Sequence, residues 1–235
     1  MHVAEKNSVA AKLAPFLCSR NTSPRGRGNA LYKTCDFKGE WLDKGEVNHV
    51  MTAVRGHLLA HDFTGKVKSW HGCDPITCLD QNEGVITEYC EDDMNNVKQN
   101  LIDIAKKSHL LVIWTDCDRE GEHIGFEIQS VCQKAKASLK CVRAQFSCCT
   151  KGEVAKAVRT LRPLHMGMVH AVQARMEIDL RVGEFSSYFY SPHIQHTDCA
   201  RTLDCELNCI LFLFFSQVQH LLDFKPCCCK INILI

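Results

Sequence analysis

Apolar residues recur along the chain with two periods. Between residues 94 and 107, Val97, Leu101, Ile104 and Ala105 fall on one stripe, which predicts an amphipathic helix. Between about 122 and 137, Ile124, Ile128, Val131, Cys132 and Ala135 repeat the pattern. The run Leu110-Leu-Val-Ile-Trp114 between them is short and unbroken, so it reads as a strand buried on both faces, as in a parallel sheet. Val47 to Val54 and Cys141 to Phe146 are further strand candidates, and Val3-Ala4 is the stub of a first one. Asn7 or Ser8 can cap a helix to about Leu17, which Pro15 should kink or shorten. Thr150-Lys-Gly-Glu153 opens a helix to about Leu161 by the capping-box pattern. Another helix covers about Met168 to Val182. Residues 19–29 read as a basic Gly/Pro/Ser loop and 64–96 as turn-rich and irregular, with Phe63 and Trp70 as packing residues. Helices alternating with strands over short connections predict a parallel α/β sheet.

Polar chemistry concentrates just past the central apolar run. Asp116, Asp118, Glu120 and Glu122 follow it, with Arg119 among them. Carboxylates beyond the C-terminal end of a parallel strand sit where open α/β sheets place their ligands. If the backbone stays extended, Asp116, Asp118 and Glu120 point the same way, and like charges so gathered repel unless a cation neutralises them. Oxygen ligands of this kind suit Mg²⁺ or Mn²⁺ in preference to zinc. Glu122 fits the first turn of the following helix, serving its dipole without touching metal. Glu5-Lys6 at a strand-to-helix turn suits phosphate binding, and a surface charge pair accounts for them equally well. Arg55-Gly-His57 is a turn that could present a cation and an imidazole, while a lone histidine is more often structural. Arg175, Glu177, Asp179 and Arg181 are by default a salt-bridged helix face.

Composition narrows the classes. At 235 residues the chain has room for one large or two modest domains, and 46% apolar and 23% charged residues are ordinary for a soluble protein. A formal net charge of +1 gives no global basic field, so nucleic-acid contact would have to come from local patches. The 16 cysteines lack any C-x-x-C pair and any regular spacing, and the N-terminus is too quickly charged for a signal peptide. That combination reads as free thiols in a reducing compartment. The longest apolar run, Ile210 to Phe215, is far short of the roughly 18–20 residues of a membrane span, so no membrane association is expected.

Several motifs, in order, resemble the type IA DNA topoisomerases, nearest the eukaryotic topoisomerase III group of alpha type. They are Val3-Ala-Glu-Lys-Asn7, Ala53-Val-Arg-Gly-His57, Leu58-Leu-Ala-His-Asp-Phe63, Ile113-Trp-Thr-Asp-Cys-Asp-Arg-Glu-Gly-Glu122 through Glu127, Arg143-Ala-x-Phe146-Ser147, and Arg175-x-Glu177-x-Asp179-Leu-Arg181-x-Gly183. The resemblance spans about residues 3–183 and implies a Toprim domain, a Rossmann-like parallel sheet flanked by helices, over 1–150. The start of a helical DNA-binding domain is implied over 151–183, with a divergent, irregular tail over 184–235. It further implies Mg²⁺ on Asp116, Asp118 and Glu120, and Glu5 near the scissile phosphate. Lys6 would contact that phosphate, Arg119 would share in catalysis, and His57, Arg143, Arg175, Asp179 and Arg181 would face DNA. The family's reaction is single-strand cleavage through a 5′-phosphotyrosine, strand passage and religation. By the same resemblance the full enzyme is nuclear, serves DNA recombination and repair, and works with a RecQ-type helicase and an OB-fold scaffold protein.

Departures from the pattern carry expectations of their own. Gln145 and Cys148 stand where the family would have an arginine and a glutamate. Beyond Gly183 the sequence leaves the family, Tyr188 and Tyr190 lie in that departing stretch, and no tyrosine has the context of the nucleophile. A tail of this kind would arise from intron read-through, a frameshift or a rare isoform. The leading expectation is a truncated topoisomerase, inactive alone. The alternatives are another Toprim enzyme of nuclease or primase type, and a non-catalytic fragment that binds single-stranded DNA or a partner.

Overall fold

A computed structural model describes residues 1–19, 24–28, 33–68 and 73–190, without the side chains of residues 27, 28, 43 and 188–190. The sequence readings for Trp70, for part of the 19–29 loop and for the tail beyond 190 lie outside the described residues. Elements follow in chain order as β1 (His2–Ala4), α1 (Asn7–Leu17), β2 (Arg25–Gly28), β3 (Lys33–Glu40), β4 (Glu46–Ala53), β5 (Ala60–Phe63) and β6 (Ile86–Tyr89). They continue as α2 (Asp92–Lys107), β7 (Leu110–Trp114), α3 (Arg119–Ala135), β8 (Lys140–Arg143), α4 (Lys151–Arg159) and α5 (Met166–Tyr190). The chain divides into two units, 1–184 and 185–235, and of the second only the last residues of α5 are described.

The main sheet has the order β2-β3-β4-β1-β7-β8, with β4, β1, β7 and β8 parallel and β2 and β3 antiparallel at one edge. The expected α/β class and parallel sheet therefore hold. Side chains of β7 alternate across it: Leu111 and Ile113 join a core with α2 and α3, while Val112 and Trp114 join one with α1 and α4. Both faces are covered, which is why Leu110–Trp114 carries no polar position. Burying two such faces is the main favourable term, at roughly 25 cal/mol per Å² of apolar surface.

Several local expectations change. The basic 19–29 stretch is not all loop: Arg25–Gly28 is an edge strand on β3, where short, positively charged strands resist further pairing. Pro15 does not shorten α1, which runs on to Leu17 with the proline inside it. The N-cap of α1 is Lys6, and Asn7 instead accepts the Lys33 amide on Oδ1 at 3.2 Å. The irregular 64–96 region contains β6, which pairs antiparallel with β5 to form a separate two-stranded sheet. Thr150 does cap α4, accepting from the Glu153 amide, but the Glu153 carboxylate takes Ser147 Oγ at 3.3 Å. The ten described cysteines are assigned no disulfide, and no helix among the described residues is long and apolar enough to cross a membrane.

Candidate functional site

Parallel strands deliver their C-terminal ends to one edge of the sheet. β1 hands on Glu5 and Lys6, β4 leads to Arg55-Gly-His57, and β7 leads to Asp116 and Asp118. The chain leaves β1 toward β4 on one side and returns to β7 on the other, so β1 and β7 flank the crevice where such sheets bind ligands. Gly56, at φ +86°, makes the bend that turns His57 back toward this edge, a conformation glycine adopts without strain.

Glu5 is nearly buried, and its Oε2 accepts the Asp116 amide at 3.1 Å. Lys6 Nζ lies 3.0 Å from Glu5 Oε1 and 3.6 Å from Asp116 Oδ2. The hydrogen bond to Glu5, with the charges of Glu5 and Asp116, raises the Lys6 pKa above its ordinary value, so it stays a cation. Sequence alone left these residues open between phosphate chemistry and a surface pair. The structure brings a carboxylate, an ammonium and a second carboxylate together at the crevice.

The backbone does not stay extended through the acidic run, which corrects the argument that three alternate carboxylates share one face. β7 ends at Trp114, Asp118 is the N-cap of α3 with Oδ1 accepting the Gly121 amide at 2.7 Å, and α3 begins at Arg119, not Glu122. A Cβ on Gly121 would stand 2.0 Å from the Asp116 carbonyl oxygen, so only glycine permits this tight turn. Asp116 and Asp118 are exposed, and so is Arg119. Glu120, in the first turn, is held by Arg175 Nη2 at 2.5 Å and by His57 Nε2 at 3.1 Å. Arg175 Nε also lies 3.8 Å from Asp179 Oδ2. Asp116 and Asp118 offer exposed oxygen ligands of the kind that suits Mg²⁺, whereas Glu120 lies in the first turn of α3 with one oxygen on Arg175 and the other on His57.

Glu122 differs most from its expected place. It is fully buried, its Oε1 2.9 Å from Arg143 Nε, and its Oε2 accepts the His165 amide at 3.0 Å. The Arg143 Nε contact is an ion pair lying off the line of a hydrogen bond. Arg143 also donates to the Thr115 hydroxyl, to the Gly121 carbonyl at 3.1 Å and to the Asp116 carbonyl at 2.5 Å. Burial lowers its pKa, the Glu122 charge opposing. This guanidinium thus braces the acidic turn from behind and is itself fully buried. Arg181 is buried too, donating to the carbonyls of Cys78 at 2.8 Å and Gly84 at 2.9 Å.

Glu127 and His123, one turn apart on α3, escaped the sequence reading as site residues. Glu127 accepts the Leu58 amide at 2.7 Å and faces His57 Nδ1 at 3.0 Å. The hydrogen bond that His57 donates to Glu127 raises the His57 pKa, against the effect of burial. His123 is buried beside them, and burial lowers its pKa. Their i, i+4 spacing on one helix face was the available signal.

The Toprim domain family model matches residues 1–148. Over 193 residues the chain is 37% identical to human DNA topoisomerase 3-alpha, covering 82% of this chain and 19% of that protein. It is 38% identical over 184 residues to DNA topoisomerase 3-alpha of Arabidopsis thaliana, covering 78% and 19%. It is 34% identical over 195 residues to DNA topoisomerase 3 of Dictyostelium discoideum, covering 83% and 23%. The chain therefore spans about a fifth of the length of these relatives. With the motif, the parallel sheet and the family match in agreement, this chain belongs to the Toprim-domain family.

Proposed function

We propose that this chain carries the metal- and phosphate-binding half of a type IA DNA topoisomerase site, for cutting one DNA strand by transesterification, passing another strand and resealing the cut. The observation that carries this reading is the meeting of Glu5, Lys6 and Asp116 beyond the ends of two adjacent parallel strands. On it, Lys6 engages a phosphate oxygen as a compact charge. Glu5, beside it and shielded, is the proton donor to the leaving 3′ oxygen. Asp116, Asp118 and Glu120 would hold Mg²⁺, which when bound neutralises phosphate oxygens as charge builds on the leaving group.

Arg119 and Arg175, exposed at the rim, supply cations for the strand, with His57 and Asp179 orienting around Glu120. Arg143 and Arg181 spend their donors on internal carbonyls, so their contribution is to hold the DNA-facing elements in place. By the resemblance, the attacking phenol comes from a domain beyond the matching region.

On the same reading, residues 1–150 are the Toprim domain, 151–183 begin a helical DNA-binding domain, and 184–235 stand apart from the family. The resemblance alone supports action in the nucleus beside a RecQ-type helicase and an OB-fold scaffold protein. Two measurements test the core of the proposal. The purified chain with Mg²⁺ should neither relax negatively supercoiled DNA nor form a covalent DNA adduct. Calorimetric titration should find Mg²⁺ binding that weakens markedly in Asp116→Asn and Asp118→Asn. Equal binding by the parent and both variants overturns the metal assignment.

A further inference from the structure

We infer that His57, His123 and Glu127 form a second metal site, distinct from the acidic turn and suited to a divalent transition-metal ion such as Zn²⁺. Each offers one ligand atom, and the three atoms lie within 4.8 Å of one another. The geometry points to Nδ1 of both histidines and Oε1 of Glu127. Glu127 Oε1 stands 3.0 Å from His57 Nδ1 and 3.4 Å from His123 Nδ1. Ligands about 2.0–2.1 Å from a tetrahedral zinc lie roughly 3.3 Å from each other, so these separations are close to the edges of such a coordination polyhedron.

Independent support comes from what the pair leaves unsatisfied. His123 is 1% exposed, and its Nδ1 has no hydrogen-bond partner despite facing Glu127, because the approach is out of line. An orphaned, fully buried ring nitrogen is unfavourable unless something fills its lone pair. A cation between the two rings and the carboxylate does so. The outer contacts also match those of a metal-bound imidazole. Glu127 Oε2 accepts the Leu58 amide at 2.7 Å, and His57 turns its other nitrogen to Glu120 at 3.1 Å, a carboxylate–histidine–metal arrangement. Two imidazoles and one carboxylate suit zinc and its neighbours and disfavour Mg²⁺, whereas the acidic turn has oxygen ligands alone.

Occupation would fix His57 as a neutral ring donating from Nε2 to Glu120. The ion would thereby position Glu120 without touching DNA. The inference does not depend on the reading of the acidic turn, because none of its three ligands is an Asp116 or Asp118 oxygen.

Cobalt is the probe, since its visible spectrum separates nitrogen and oxygen ligation from thiolate ligation. The full chain, stripped of metal with EDTA, is dialysed against Co²⁺ alongside His123→Asn and His123→Phe, with far-UV circular dichroism to check folding. We expect the parent to bind one equivalent with weak d–d bands and no thiolate charge-transfer band, and both variants to lose that equivalent while folded. In addition, Zn²⁺ should shift the ¹⁵N resonances of two histidine Nδ1 atoms in the parent. Variants that bind the parent's number of Co²⁺ ions with an unchanged spectrum overturn the site. Should both variants unfold, the parent decides alone: cobalt held only by thiolates, with no histidine Nδ1 shift, overturns it equally.

Discussion

Glu5 Oε2 accepts the amide N–H of Asp116 at 3.1 Å, joining residues 111 positions apart in sequence. The bond sets the first residue of the acidic turn against the end of the neighbouring strand, and Lys6 closes the same corner from outside. Glu5→Ala leaves that amide without its acceptor and should cost about 1–2 kcal/mol. Glu5→Gln retains an acceptor oxygen and should cost less. Amide hydrogen exchange at Asp116 reads the bond directly: it should quicken in Glu5→Ala and change little in Glu5→Gln. Unchanged exchange in Glu5→Ala would mean that the turn holds itself.

Gly121 is a steric requirement. Its missing side chain is occupied by the Asp116 carbonyl, 2.0 Å from where a Cβ would sit, and backbone cannot retreat as a flexible side chain can. Gly121→Ala should therefore destabilise the domain by about 1–3 kcal/mol, despite alanine's better helix propensity. It should also weaken the Asp118 cap on the Gly121 amide. Urea denaturation measures the first effect, and the chemical shift of that amide reports the second. A stabilised Gly121→Ala variant would mean that the turn opens at little cost.

The sheet was legible because burial on both faces leaves an unmistakable trace: Leu110–Trp114 has no polar position, and the helix stripes Val97/Leu101/Ile104 and Ile124/Ile128/Val131 are buried as their spacing implies. Short edge strands were less legible. Arg25, Gly26 and Ile86–Tyr89 bury little, so their sequences follow turn and charge preferences instead of alternation. At the site, residue identities were readable and roles were not. Glu122 looks like any acidic first-turn residue, and its burial depends on Arg143, a partner that only the β7–β8 pairing brings near. Likewise, Glu127 gains its significance from His57, 70 positions away.

The Arg143–Glu122 pair is fully buried and carries further bonds to Thr115, Gly121, Asp116 and His165. Removing one partner strands the other charge in the interior, so Glu122→Gln or Arg143→Met should each cost about 3–5 kcal/mol. The double variant should cost clearly less than the two together, because neither charge is then left alone. Chemical denaturation of all four proteins closes the cycle. Additive losses would show that the two side chains act separately.

His2 sits at the centre of a buried neutral chain. Trp114 Nε1–H donates to His2 Nδ1 at 3.1 Å, which leaves the His2 proton on Nε2, directed at His49 Nδ1 2.9 Å away. His49 then donates from Nε2 to the Gly39 carbonyl at 3.3 Å. Burial holds the His2 pKa well below 6.5, so in the folded state the ring stays neutral while the unfolded chain takes up a proton. A depressed histidine pKa makes the unfolded state the better proton binder below 6.5, so this stabilisation is complete above that pH and is lost progressively as pH falls beneath it. His49, lowered for the same reason, adds in the same direction. The midpoint of urea denaturation should therefore fall between pH 7 and pH 5, and His2→Gln should flatten that fall while lowering stability at pH 7. A His2→Gln protein as acid-sensitive as the parent would exclude this chain as the origin of the pH dependence.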